Sequence, residues 1–68
     1  MTSAVLAVGR NIRRVRERNK ISLEDFARDL GATIEQVTQW ETGQIDLDVD
    51  TLDRITEVLG IKHRDLFD

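Results

Sequence analysis

A chain of 68 residues with no cysteine is one domain at most, and neither a disulfide nor a thiolate-bound metal can staple it. Its 40% hydrophobic and 34% charged residues exclude a disordered chain and describe a small helical protein, held by helix packing or by self-association. The net charge of −3 hides a division: residues 10–20 hold six basic side chains and one acid, residues 21–59 ten acids and two bases, so a polyanion is drawn to the first stretch and repelled by much of the second.

Val5, Val8, Ile12 and Val15 recur at helical spacing, with Arg10, Arg14 and Glu17 pointing away and Arg16 on the border. A first helix is predicted over about 4–18. Ser22 offers a cap with Asp25 three residues on, Leu23, Phe26, Ala27 and Leu30 make an apolar face, and Gly31 is a stop, giving a second helix over 23–30. Thr33 and Gln36 sit at capping-box spacing ahead of inward-facing Val37 and Trp40, and Gly43 closes a third helix over 34–42. Only Gly31 and Ala32 separate helix two from the cap of helix three, so the two form a crossed pair, a helix-turn-helix. Asp48 caps a fourth helix over 49–59, in which Leu52, Ile55, Val58 and Leu59 bury and Gly60 ends the run. Residues 63–67 are expected to make a last short helix that packs Leu66 and Phe67, while Ile21, Ile45, Leu47 and Ile61 anchor loops.

Residues 22–43, SLEDFARDLGATIEQVTQWETG, resemble the helix-turn-helix of the Cro/cI or XRE family of phage-type repressors. The motif has a small residue at Ala27, glycine at Gly31, a β-branched residue at Val37 and aromatic-then-acid at Trp40-Glu41, all in register. VGRNIRRVRE resembles the family's first helix, DTLDRITEVLGI its fourth and HRDLF its ending, so the resemblance covers nearly the whole chain. It implies an all-α, five-helix, lambda-repressor-like DNA-binding domain over residues 1–68. It also implies an ion pair, Arg16 with Glu41; the helical wheel agrees in placing both residues at the borders of their apolar stripes. The pair is read as structural, locking helix one to helix three.

The resemblance makes helix three a recognition helix in the major groove of double-stranded DNA. Opposite Val37 and Trp40 lie Glu35, Thr38, Gln39 and Thr42, with Ile34 at the flank and Gln44 just beyond. Gln39 suits paired contact to adenine, Glu35 the cytosine amino group, and Ile34 with the Thr38 methyl a thymine methyl. Ser22 and Thr33, at helix N-termini, suit phosphates. A homodimer is expected on a near-palindrome with half-sites about one helical turn apart, its surface drawing on Leu66 and Phe67. The chain departs from the family at Leu23, where glutamine commonly holds the DNA backbone. It departs again at Lys20, where glycine is usual, and in the acidic loop QIDLDVD, where bases are common; the recognition helix has no Arg or Lys. Each acid on the rim works against the phosphate contacts that supply affinity.

A catalytic reading finds little to stand on: one histidine, His63, no Ser/His/Asp set and no Gly-rich phosphate loop. Asp46, Asp48 and Asp50 lack the Gly turn and distal Glu of a calcium loop, so neither metal nor cofactor is expected. The serious alternative is a protein-interaction module of the same fold, using its acidic surface and an apolar patch of Leu23 and Ile34 toward a protein partner. No apolar run approaches the roughly 20 residues of a membrane span. Residues 3–8 are too short for a signal peptide, and the expected location is the cytoplasm. The chain starts with Met and ends where the family's domain ends, so regulation is expected through abundance, dimerisation or a partner rather than a bound effector.

Overall fold

The computed structural model describes residues 3–67, with side chains from Leu6 onward, so the place of Val5 on the first apolar stripe lies outside what it describes. Four α-helices follow one another, α1 (Ser3–Arg18), α2 (Leu23–Leu30), α3 (Ile34–Glu41) and α4 (Val49–Leu59), and a 3-10 turn (His63–Leu66) closes the chain. Among the described residues there is no strand.

Side-chain caps start three of the helices. Ser22 Oγ accepts from the Asp25 N–H at 3.0 Å and Asp48 Oδ1 from the Thr51 N–H at 2.8 Å. At α3 the cap is reciprocal: Thr33 Oγ1 accepts from the Gln36 N–H at 3.0 Å while the Thr33 N–H donates to Gln36 Oε1 at 2.9 Å. Each of these bonds satisfies a backbone N–H that the first turn of a helix leaves without an internal partner.

The four α-helices end alike, on one residue in the left-handed conformation whose N–H and whose neighbour's N–H turn back onto the last carbonyls. Glycine fills that position three times. At the end of α1 it is Lys20, φ 59°, with its N–H on the Glu17 carbonyl and the Ile21 N–H on that of Arg16. A β-carbon there costs roughly 1 kcal/mol against glycine. The chain thus reaches the family's turn without the family's usual glycine.

The buried core comprises Val8 and Ile12 of α1, Phe26, Ala27 and Leu30 of α2, Val37 of α3, Ile55 and Leu59 of α4, and Leu66 of the 3-10 turn. Phe26, Ile12, Ile55, Leu66 and Val37 are fully enclosed. Removing such side chains from water stabilises the fold by about 1.5–3 kcal/mol each. Helix α1 lies so close to α3 at Gly9 that a β-carbon there would collide with the backbone carbonyls of Trp40 and Glu41. Backbone meets backbone at this point, and α3 is seated on α1 with nothing between them.

Four expectations need correction. The fifth helix is a single 3-10 turn, too short for an α-helical ladder. Leu66 is wholly buried rather than available to a dimer surface. Asn11 Nδ2 donates to its carbonyl at 2.7 Å and fixes the turn with that side chain inward, which leaves Phe67 on the outside, 59% exposed. Helix α3 ends at Glu41, one residue short of the expected bound, because Thr42 is already its cap and Gly43 turns the chain. Ile45 faces solvent instead of anchoring its loop, whereas Ile21, Leu47 and Ile61 do pack against the core.

Candidate nucleic-acid interface

The structure brings Arg16 of the basic stretch together with Glu41 of the acidic one. Arg16 Nε donates to Glu41 Oε2 at 2.7 Å and Nη2 to Oε1 at 3.2 Å, while Nη1 donates to the Ile21 carbonyl at 2.7 Å. Both side chains are more than nine-tenths buried. One guanidinium therefore ties α1 to α3 and to the turn that enters α2. That three-way tie sets the angle at which α3 is presented.

The outward face of α3 carries two rows. Ile34, Thr38 and Thr42 follow one another at four-residue spacing, and Glu35 and Gln39 form a parallel row beside them. Ile34 is 46% exposed, Glu35, Thr38 and Thr42 are exposed, and Gln39 is half-buried. The rows differ in what they have free. Thr38 Oγ1 donates to the Ile34 carbonyl at 2.9 Å, and Thr42 Oγ1 to the Thr38 carbonyl at 2.7 Å. Gln44 Nε2 in turn donates to Thr42 Oγ1 at 3.0 Å. Thr42 is thereby committed as donor and as acceptor, and Gln44 holds the loop to the helix end. Among the described residues, the Glu35 and Gln39 side chains have no hydrogen-bond partner within the protein.

Ser22 and Thr33 stand exposed at the N-termini of α2 and α3, each hydroxyl oxygen already accepting from its own helix and each retaining its proton to donate. Leu23, beside Ser22, is half-buried against the core and is not a free apolar patch with Ile34. The exposed cations Arg10, Arg14 and Arg18 line up along α1 at four-residue spacing, and Arg13 pairs with Glu17 at 3.2 Å. Asp46, Asp48 and Asp50 are all exposed in the segment that follows α3. Hydrogen bonds from the Thr51 side chain and backbone hold the Asp48 carboxyl below its usual range, so it stays charged at neutral pH. His63 Nε2 lies 2.6 Å from Asp53 Oδ1, joining the 3-10 turn to α4 and placing the one histidine in a structural contact.

Sequence reasoning missed two residues that shape this face. Gly9 gave no signal because its need arises only from the approach of a distant helix. Asn11 reads as a polar residue at the edge of an apolar stripe, yet it is buried and bonds a carbonyl 55 residues away. Among the described residues no group of three or more His, Cys, Asp or Glu side chains gathers as a metal site would require, and no helix is long and apolar enough to cross a membrane.

The helix-turn-helix family HTH_3 matches residues 12–66. Among solved structures the chain is similar to the restriction-modification controller protein C.AhdI from Aeromonas hydrophila, at 24% identity and a TM-score of 0.90, over 97% of this chain and 100% of that one. ClgR, the clp gene regulator from C. glutamicum, matches at 18% identity and a TM-score of 0.90, over 97% of this chain and 86% of that one. At these identities the likeness is one of fold. Apo-HppE is 32% identical with a TM-score of 0.89 over 96% of this chain, which spans only 36% of HppE. No curated protein sequence matches.

Proposed function

Because the chain belongs to the XRE-type helix-turn-helix family, we propose that it is a sequence-specific, DNA-binding transcriptional regulator that reads the major groove with α3. The observation that carries this is the state of that helix: rigidly seated on α1 at Gly9 and by the Arg16–Glu41 pair, it turns a face of exposed side chains to solvent, with two helix N-termini beside it. Rigid seating lets base contacts be made without ordering the helix at the moment of binding. Glu35 and Gln39 are the polar base readers, Ile34 and Thr38 the apolar ones. Thr42 and Gln44 shape the exit from the groove, and Ser22 and Thr33 donate to phosphates. The names of the controller protein and the gene regulator of like fold agree with this role.

The regulator works as a homodimer, with Phe67 as the exposed apolar candidate at the carboxy-terminal end now that Leu66 is assigned to the core. The test is fluorescence anisotropy with duplex DNA from upstream of the protein's own gene beside a scrambled duplex, across a salt series. Sequence-dependent binding that weakens steeply with salt is the expected outcome. No binding at low salt rejects the reading and directs the search to a protein partner, for which exposed Phe67 and Val49 are the apolar anchors.

A further inference from the structure

The two rows on α3 differ in what they can offer a base, and resting on the DNA-binding reading above, we propose that the Ile34–Thr38–Thr42 row recognises the C5-methyl groups of thymine, making the preferred half-site rich in A·T pairs. The inference follows from where the threonine protons go. Both hydroxyls donate back along the helix, Thr38 to the Ile34 carbonyl and Thr42 to the Thr38 carbonyl, and the Thr42 oxygen also accepts from Gln44. Neither hydroxyl has a proton left for guanine N7 or O6. What each exposed side chain still presents is its methyl group, continuous with the 46% exposed side chain of Ile34. In the major groove only thymine answers with an apolar group.

In the neighbouring row Gln39 points the same way, while Glu35 excludes guanine without separating adenine from cytosine. Glu35 is an acceptor without a partner, matched by the amino groups of adenine or cytosine and mismatched by the acceptor-only edge of guanine. Gln39 is the one side chain on the face with both donor and acceptor free, the pair that adenine N7 and N6 require. No Arg or Lys stands anywhere on α3 to make the commonest guanine contact. A helix of this chemistry selects adenine on one strand and, through its methyl row, the thymine of a neighbouring pair.

The experiment is a site selection from a random duplex pool, followed by anisotropy titration of the selected duplex with deoxyuridine replacing each thymine in turn. Deoxyuridine pairs as thymine does and lacks only the methyl. The expected result is an A·T-rich consensus and a loss of about threefold to fivefold at one or two thymines, the worth of a buried methyl-sized group. Thr38→Ser, which keeps the hydroxyl bond and deletes the methyl, should lose a similar factor on the thymine duplex and nothing more on the deoxyuridine duplex. Thr38→Val, which keeps the methyl and puts a second one in place of the hydroxyl, should bind at least as well as the parent. Because residue 38 is exposed, circular dichroism melting of both variants separates a binding change from a fold change. A G·C-rich consensus, indifference to every deoxyuridine, or a loss with valine but not with serine overturns the methyl reading while leaving DNA binding intact. Failure to enrich any sequence overturns the DNA-binding reading itself.

Discussion

The Arg16–Glu41 pair is the costliest place to edit a single side chain. Cutting one partner leaves the other charged, buried and without its counter-ion, so Glu41→Ala should destabilise the protein by about 3–5 kcal/mol, read as a lowered urea midpoint. Replacing both residues together by Met and Leu should cost much less, because no charge is then stranded. Lys20 offers the opposite case. Its left-handed backbone makes Lys20→Gly stabilising by roughly 0.5–1 kcal/mol, even after the added freedom glycine brings to the unfolded chain. An unchanged melting temperature would mean the turn is not strained by its β-carbon. The sequence alone flagged Lys20 only as an exception to a family habit. The dihedral angle turns that exception into a quantity, and it shows that the same 6→1 closure forms around a side chain that disfavours it.

At the scale of the elements, caps were the most legible signals. Ser22 with Asp25, Thr33 with Gln36 and Asp48 ahead of α4 each located a helix start that the structure realises. Ends of chain segments without periodicity were not legible. Leu66 and Phe67 are adjacent and both apolar, and a 3-10 turn of four residues has no repeat to say which faces inward; the Asn11 bond decides it. Ile45 was equally ambiguous in a loop that alternates apolar and acidic residues. Gly9 makes a sharper prediction about how elements meet. In an isolated helix Gly→Ala gains about 1 kcal/mol. Here the new methyl would press on the Trp40 and Glu41 carbonyls, and overpacking of this kind typically costs about 1–3 kcal/mol. Backbone cannot swing aside as a side chain can, so Gly9→Ala should lower stability and loosen α3, with DNA affinity falling alongside the melting temperature. The cap of α4 adds a pH dependence. Hydrogen bonds from Thr51 hold the folded Asp48 carboxyl below the ordinary aspartate range, so its contribution is complete above that range and disappears as pH falls through the lower, folded pKa. Asp48→Asn, which can still accept from Thr51, should flatten the stability profile in that acid window.

For the whole molecule, charge is arranged against the proposed ligand as well as for it. The α1 row of Arg10, Arg14 and Arg18 is exposed, while Asp46, Asp48 and Asp50 rim the segment leaving α3. Neutralising Asp46 and Asp50 together by Asn should tighten binding to selected and scrambled duplexes alike, since these groups act on phosphates rather than bases. A gain confined to the selected duplex would instead place one of them against a base. The division of charge was plain from composition, and the helical wheel already set Arg16, at the border of the apolar stripe, apart from the outward Arg10 and Arg14; the fold buries it. The position of Leu66 has a consequence for the life of the protein in a cell. The core is bounded on one side by α1 and on the other by Leu66 of the 3-10 turn, joined by a bond that spans 55 residues. A nascent chain still holding that leucine inside the ribosome lacks one wall of this core, so native packing must wait until residue 66 has emerged. Likewise, a single protease cut in the link between α4 and the 3-10 turn would sever Leu66 from the helices and unplug the interior. Cleavage at this link should therefore turn the folded domain into a degradable one without any ligand.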